Sequence, residues 1–184
     1  MSPRIRLVLI FAGKAIGILI AISLLWSLFI AAPYNHALVA IMDSISGGDI
    51  VLGEDFDEED RQQNFLKKDS IVVGIGQPEE TYEIYGFIPG SALHYGMLLV
   101  VSLIAATPGL TWRRRLKFIL LALVIMFILH LSTILIFAKV SLSGMNPYPF
   151  IILFISLGTG LFPTLVWGIL CYKYWWPRVP QLAK

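Results

Sequence analysis

The stretch that decides the fold is LHYGMLLVVSLIAATPGLTWRRRLKFILLALVIMFILHLSTILIF, residues 93–137. It holds two apolar runs joined by a turn, Thr107 to Lys117, which contains Pro108-Gly109 and four basic residues. Such a pattern is typical of a transmembrane helical hairpin whose turn faces the cytoplasm, because Lys and Arg concentrate in cytoplasmic loops. The rest of the chain can be placed relative to this turn.

Composition and charge distribution both indicate a membrane protein. Of the 184 residues, 57% are hydrophobic and only 14% are charged, whereas soluble domains carry about a quarter charged residues. All twelve acidic residues lie between Asp43 and Glu83, where only three basic residues accompany them, so that segment carries a charge of −9. Since positive charge is retained in the cytoplasm, we expect the acidic segment, residues 33–90, to be extracytoplasmic.

Four apolar runs predict four transmembrane helices with both termini in the cytoplasm. Lys14 lies inside the first run, but its ammonium can reach back to the headgroups along its alkyl stem. A signal anchor that is later cut after Ala32 is the alternative, and it stays open. Pro163 predicts a kink in the last helix, where Gly158, Gly160 and Gly168 allow close packing. The predicted domains are 1–32 (first helix), 33–90 (acidic segment) and 91–184, which holds spans at about 91–107, 116–138 and 150–172.

The acidic segment is predicted to be a small α+β insertion. Residues 33–45 have the apolar spacing of a short amphipathic helix that could lie on the outer bilayer surface. The cluster Glu54 to Asp60 lacks the ligand spacing of a calcium loop, so we interpret it as a solvated loop or helix start. Ser70–Ile75 and Thr81–Phe87 have the β-branched and aromatic bias of two strands joined by a turn at 76–79. Because an isolated hairpin is marginal in water, it should pack against the helices or a partner.

Three histidines are the candidates for chemistry at membrane depth, because imidazole titrates near neutrality. His94 and His130 lie eighteen residues on either side of Trp112, so at about 1.5 Å per residue they should stand at a similar height. With His36 just outside the first span, the three imidazoles could gather and bind a metal or a haem, relay a proton, or hold an anionic headgroup.

A structural role for the histidines is the alternative. His94 would then be an interfacial residue beside Tyr95, and His130 would donate to a neighbouring carbonyl or to a hydroxyl such as that of Ser132 or Thr133. The pair Gly13 and Gly17 is equally open, since a G-x-x-x-G spacing permits close helix approach but glycine is common in membrane helices.

No catalytic site is predicted. The single cysteine, Cys171, excludes an intramolecular disulfide and a cysteine-based zinc cluster, and no histidine neighbours it at the cytoplasmic end of the last span. No Asp or Glu lies in any predicted span and no H-E-x-x-H is present, which argues against an intramembrane protease.

The basic turn is predicted to set topology and to bind anionic lipid headgroups, each cation contributing about 1 kcal/mol near the surface. Nucleic-acid binding is not favoured, because one short turn supplies no second basic surface and no stacking platform. The residues concerned are Arg113, Arg114, Arg115 and Lys117.

The blocks HYGMLL, residues 94–99, and AATPGLTWRRRL, residues 105–116, resemble the small membrane proteins associated with exosortase and archaeosortase systems, over the central hairpin only. Exosortases are membrane transpeptidases with a cysteine, an arginine and a histidine at the outer side. Here Cys171 lies on the other side and no arginine lies within a span. The resemblance therefore implies an accessory protein without transpeptidase activity.

These observations predict an all-α membrane protein of four transmembrane helices with a small extracytoplasmic α+β insertion, located in the cytoplasmic (inner) membrane. The predicted function is that of a non-enzymatic accessory or scaffold subunit that contacts other membrane proteins through its helices and acidic segment. The alternative is a membrane subunit of an enzyme or redox complex that binds a metal or haem through its histidines. A small transporter is disfavoured, because the chain lacks an internal repeat and intramembrane acidic groups.

Overall fold

Three helices in the computed structural model are long and apolar enough to cross a membrane, within the residues that the structure describes: Val8–Ile45, Trp112–Leu142 and Tyr148–Tyr174. The described residues are 3–46, 50–77, 81–146 and 148–175. A shorter apolar helix, Gly90–Ala106, has 17 residues. At about 1.5 Å per residue it is about 25 Å long, slightly less than the roughly 30 Å hydrocarbon core. The fold is therefore that of a mostly helical membrane protein with a small sheet.

The described elements follow one another in the order α1 (Pro3–Leu25), a π-helical turn (Trp26–Ile30), α2 (Ala31–Ser46), β1 (Ile50–Leu52), a 3₁₀ turn (Gly53–Asp55), α3 (Glu58–Gln63), β2 (Ser70–Gln77), β3 (Thr81–Pro89), α4 (Gly90–Ala106), α5 (Trp112–Leu142), α6 (Tyr148–Ser156), a second π-helical turn (Leu157–Leu161) and α7 (Phe162–Trp175).

The first helix is longer than predicted, because α1 continues through the π-helical turn into α2 with helical backbone angles. Pro33 accounts for the turn. A proline inside a helix has no N–H for the carbonyl four residues back, here that of Phe29, and its ring collides with that carbonyl. In α2, Leu38 and Met42 are buried against the sheet. The segment predicted to lie on the bilayer surface therefore packs its apolar side on protein.

The last long helix also has a π-helical turn shortly before a proline. Pro163 follows the π-helical turn Leu157–Leu161, which includes Thr159, the residue whose carbonyl would meet the missing N–H. The predicted interruption is thus present as a π turn, and helical backbone angles continue on both sides of it.

A three-stranded antiparallel sheet of order β1-β2-β3 lies between α2 and α4 in the chain. β2 and β3 form the predicted hairpin, with a bulge between Val73 and Gly74, and the predicted turn falls partly on residues 78–80, outside the described residues. The three-residue β1 was not predicted. One face of the sheet packs on α2 and the end of α5, which confirms that the strands lean on helices; this core includes Leu38, Met42, Ile71, Val73, Ile88, Ile134 and Phe137.

The connection between β1 and β2 covers the other face of the sheet. Phe56 and Leu66 pack on Val72 from outside. The acidic cluster begins α3, where the Asp57 side chain accepts a hydrogen bond from the Asp60 N–H at 2.8 Å. Carboxylates in a first helical turn compensate the positive end of the helix dipole. The interpretation of this cluster as a helix start is confirmed.

The basic turn is shorter than predicted. α5 begins at Trp112, with Thr111 as its N-cap residue, so Arg113, Arg114, Arg115 and Lys117 lie on a helix and not in a loop. Residues 107–111 suffice to connect α4 and α5, because Gly109 adopts a φ of +82° and closes the turn.

α4 forms the centre of the helical bundle, where it contacts α1, α5, the second π turn and α7. The closest approach is at Gly96, where an added Cβ would collide with the backbone oxygen of Gly158. This contact requires a glycine at position 96 and not at the positions predicted to permit close packing, because a Cβ at Gly158, Gly160 or Gly168 would meet nothing within 4 Å in the described chain. A Cβ at Gly13 or Gly17 would meet nothing within 4 Å in the described chain, so this pair packs against none of the described elements.

Substitution of Gly96 by alanine is expected to lower stability, although alanine is intrinsically the better helix former by up to about 1 kcal/mol. The added methyl group would push α4 away from the second π turn, and overpacking of this kind costs about 1–3 kcal/mol. Thermal unfolding in mild detergent measures the effect. Gly17→Ala is the matched control and should leave the midpoint unchanged or raise it; equal midpoints for the two variants would contradict the packing described here.

Candidate functional site

A buried polar cluster lies where α2, α4 and α5 meet, and we call it the histidine cluster: Tyr34, Asn35, His94 and His130. The Tyr34 hydroxyl and His130 Nδ1 are hydrogen-bonded at 2.6 Å. His94 Nε2 donates to the Asn35 amide oxygen at 2.9 Å. Asn35, His94 and His130 are 3%, 6% and 4% exposed. Each bond joins two helices, so the cluster links α2 to both α4 and α5.

The Tyr34 ring fixes the orientation of both imidazoles. It packs edge-to-face with Trp26, His94, Phe127 and His130, at centroid distances of 5.4, 5.5, 5.8 and 6.0 Å. Edge-to-face pairs add about 0.5–1.5 kcal/mol each beyond their buried area. Rings packed in this way leave each side chain little rotational freedom.

Both π-helical turns flank this cluster. Trp26, which opens the first π turn, packs on His94 as well as on Tyr34, and Gly158 in the second π turn packs on Gly96, two residues after His94. π-helical turns are frequent at functional sites, since they re-aim side chains without ending the helix. Because both π turns pack against the same segment of α4, we identify this segment as the candidate site.

The structure brings together two of the three predicted histidines. His94 and His130 both pack on Tyr34, as their similar height predicts. His36 lies apart, because its Nε2 pairs with a Glu54 carboxylate oxygen at 2.9 Å on the surface, where its side chain is 57% exposed. The expected gathering of all three imidazoles is therefore not found, and the described residues contain no group of three His, Cys, Asp or Glu side chains that could hold a metal.

The structural alternatives for the histidines also need correction. His94 is buried and bonded to Asn35, so it is not an interfacial residue. The hydroxyl partner of His130 comes from α2 and not from its own helix. The hydroxyls of Ser132 and Thr133 donate instead to the carbonyls of Ile128 and Leu129.

Sequence reasoning missed Trp26, Tyr34 and Asn35. The available signal is Pro33, which the sequence predicts to follow the first span and which instead lies inside a continuous helix. Tyr34 and Asn35 follow this proline directly, and Trp26 lies about two helical turns before it.

A groove of about 790 Å³ adjoins the histidine cluster on the side of α1. Its walls are mainly apolar side chains of α1 and α4, and its polar end is formed by Asp69, Ser91 and His94. A second recess of about 220 Å³ shares Asp69 with the groove and is also lined by Asn35, Glu54 and Lys68. Volumes of about 300–1,000 Å³ are typical of small-molecule sites.

The predicted headgroup-binding cations lie on the first turns of α5. They are near the C-terminal end of α4, whereas the histidine cluster is near its N-terminal end. Arg115 Nη2 donates to the Thr107 carbonyl oxygen at 3.1 Å, and Arg114 lies over the Tyr174 ring at 5.7 Å from its centroid. Arg115 and Lys14 line a recess of about 350 Å³. Arg113 and Lys117 are exposed. Binding of anionic lipid by these residues stays a prediction.

Comparison of the chain with protein-family models, with curated proteins and with solved structures gives no match. The resemblance of the central hairpin to exosortase-associated membrane proteins therefore stays a prediction, and the function has to be inferred from the geometry of the molecule.

Replacing Tyr34 by phenylalanine keeps the ring and removes the hydroxyl, which leaves His130 Nδ1 buried without its partner. We expect a loss of about 1–3 kcal/mol in the free energy of unfolding, measured by denaturant titration in mild detergent. Tyr148→Phe, at a side chain that is 51% exposed, is the control. The double variant Tyr34→Phe/His130→Leu should recover part of the loss, because it removes both partners; no recovery would show that the bond itself does not stabilise the fold.

Proposed function

We propose that the protein is a non-enzymatic accessory subunit of a membrane complex, with four transmembrane helices and an extracytoplasmic acidic domain, which we call the sheet domain and which runs from β1 to β3 (Ile50 to Pro89). α4 is the additional span. Its 17 residues nearly match the hydrocarbon thickness, and its burial among the longer helices shields its polar residues from lipid. A helix at the centre of a bundle need not span the full bilayer by itself.

The distribution of charge along the bundle supports this topology. The sheet domain packs on the last turns of α5, at Phe137 and Ala138, whereas the cluster of arginines lies on its first turns. Acidic and basic residues are thereby separated by the length of α5, about 46 Å for its 31 residues. With the basic end in the cytoplasm, the acidic domain is outside.

The observation that carries the proposal of a partner is Phe65. Its side chain is 86% exposed, and its backbone adopts a φ of +57°, which is uncommon for a bulky residue and costs about 1–2 kcal/mol. It is the residue after Asn64, the C-cap of the acidic helix α3, a position where the left-handed conformation is common, and the exposed Lys67 and Lys68 follow it in the chain. An aromatic side chain that is this exposed has the character of an interface anchor. The fitting partner surface is an apolar pocket.

The topology can be tested with single cysteines at Glu58 and Arg113 in a Cys171→Ala background. A membrane-impermeant maleimide should label the cysteine at position 58 in intact cells, and the one at position 113 only after permeabilisation. Labelling of both positions from the same side would mean that α4 does not cross the membrane.

Substitution of Phe65 by glycine distinguishes an effect on partner binding from an effect on stability. Glycine relieves the left-handed strain, so the free energy of unfolding should stay the same or rise, by up to about 1–2 kcal/mol. At the same time, proteins that co-purify in mild detergent should be lost. Met145→Ala, at an exposed apolar side chain beyond α5, should retain them. Purification of the native chain as a lone monodisperse monomer would contradict the proposal.

One observation favours the histidine-based alternative. His94 Nδ1 and His130 Nε2 have no hydrogen-bond partner within the described residues, so each imidazole keeps a nitrogen able to bind a metal or haem iron. The absorption spectrum of the purified protein distinguishes the two functions, because a bound haem gives a Soret band and an accessory subunit without cofactor gives none.

A further inference from the structure

The groove between α1 and α4 has the dimensions and lining of a site for an alkyl chain. Leu19 and Leu24 on α1 face Leu98 and Leu99 on α4 across a cavity of about 790 Å³. Leu24 and Tyr95, which also line it, are each 61% exposed, so the groove opens at the outer surface of the bundle. A chain in this groove would be buried against protein on one side and face lipid on the other.

The polar end of the groove holds a carboxylate that is not neutralised. Asp69 Oδ2 accepts a hydrogen bond from the Ser91 N–H at 2.8 Å, and the Asp69 side chain is in salt-bridge contact with no cation of the described residues. The Ser91 N–H occupies one acceptor position of this carboxylate, and an ionised carboxylate offers about four. Asp69 therefore has acceptor capacity directed to whatever occupies the groove.

Two further polar groups on the groove wall lack partners. His94 Nε2 is engaged by Asn35, which leaves Nδ1 as a free acceptor. The indole Nε1 of Trp26 is buried and has no hydrogen-bond partner within the described residues. Buried polar groups are nearly always satisfied, so the buried, unsatisfied indole of Trp26 is a second, independent indication of a ligand.

We propose that the groove binds one phospholipid with a primary-amine headgroup, whose ammonium pairs with Asp69 and whose chain lies along α1 and α4. The adjoining recess supplies the complement for the phosphate. It is lined by Lys68 and shares Ser27, Ala31 and Asp69 with the groove, so a cation and a carboxylate lie at the same end of the site. Glu54, the other acid of the recess, is already paired with His36. A zwitterionic amine lipid fits this charge pattern, whereas an anionic lipid would place no positive group on Asp69.

Native mass spectrometry of the delipidated protein in detergent tests the site, with phosphatidylethanolamine and phosphatidylglycerol of identical acyl chains as probes. We expect phosphatidylethanolamine to be retained about tenfold better, the factor expected for one charge-assisted hydrogen bond. Asp69→Asn keeps an acceptor for the Ser91 N–H but removes the charge, so it should abolish the preference. Equal retention of the two lipids, preference for phosphatidylglycerol, or an unchanged preference in the Asp69→Asn protein would overturn the proposal.

The chain-binding part of the site is tested separately by Leu24→Trp, which fills the groove from an exposed position. It should reduce retention of phosphatidylethanolamine at least tenfold. Leu9→Trp is the matched control, because Leu9 is also on α1 and 57% exposed but lies outside the groove. Equal retention in the two tryptophan variants would show that the lipid binds elsewhere. None of these outcomes depends on a protein partner, so they are distinguishable from the loss of co-purifying proteins expected for Phe65→Gly.

Discussion

The whole structure depends on the burial of α4. This helix carries two glycines and a histidine in its first two turns, Gly90, His94 and Gly96, and it is shorter than the hydrocarbon core. Alone it would expose polar groups to lipid at considerable cost. The longer helices enclose it, and the small residues on α4 let them do so at backbone contact. The bundle is therefore arranged around α4, the helix that is least suited to contact lipid.

Two prolines resolve the geometric problem that this enclosure creates. A regular helix that must both pack on α4 and continue past it cannot keep one face in contact throughout. At Pro33 and Pro163 the missing N–H would leave a carbonyl unsatisfied, and in each helix a π turn occupies that position. The turns re-aim the helix, and with it Trp26 and Gly158, toward α4. In this chain the same local defect therefore produces both the packing and the candidate site.

Features that depend on local composition could be predicted from the sequence, and features that depend on distant contacts could not. Apolar run lengths located the long helices, and β-branched bias located the β2-β3 hairpin. The bond between Tyr34 and His130 joins residues 96 positions apart, so no local pattern contains it. β1 has only three residues, and it forms because the edge of β2 supplies its backbone hydrogen-bond partners. The basic turn is shorter than predicted, because a cluster of arginines is typical of a loop. In the structure Gly109 closes the connection, so residues 107–111 are sufficient.

The sheet domain and the histidine cluster share one junction at the start of α4. Asp69, just before β2, accepts hydrogen bonds from the N–H groups of Gly90 and Ser91 at 3.0 and 2.8 Å, so its backbone and side chain together cap the helix. Gly90 has no side chain because one would collide with the Asp69 carbonyl and the Asn35 amide. Asn35 in turn holds His94. These contacts connect the sheet, through Asp69 and Asn35, to the histidine cluster and to the polar end of the groove. The histidine cluster and the proposed lipid site therefore share His94 and are held in place by the same junction at the start of α4.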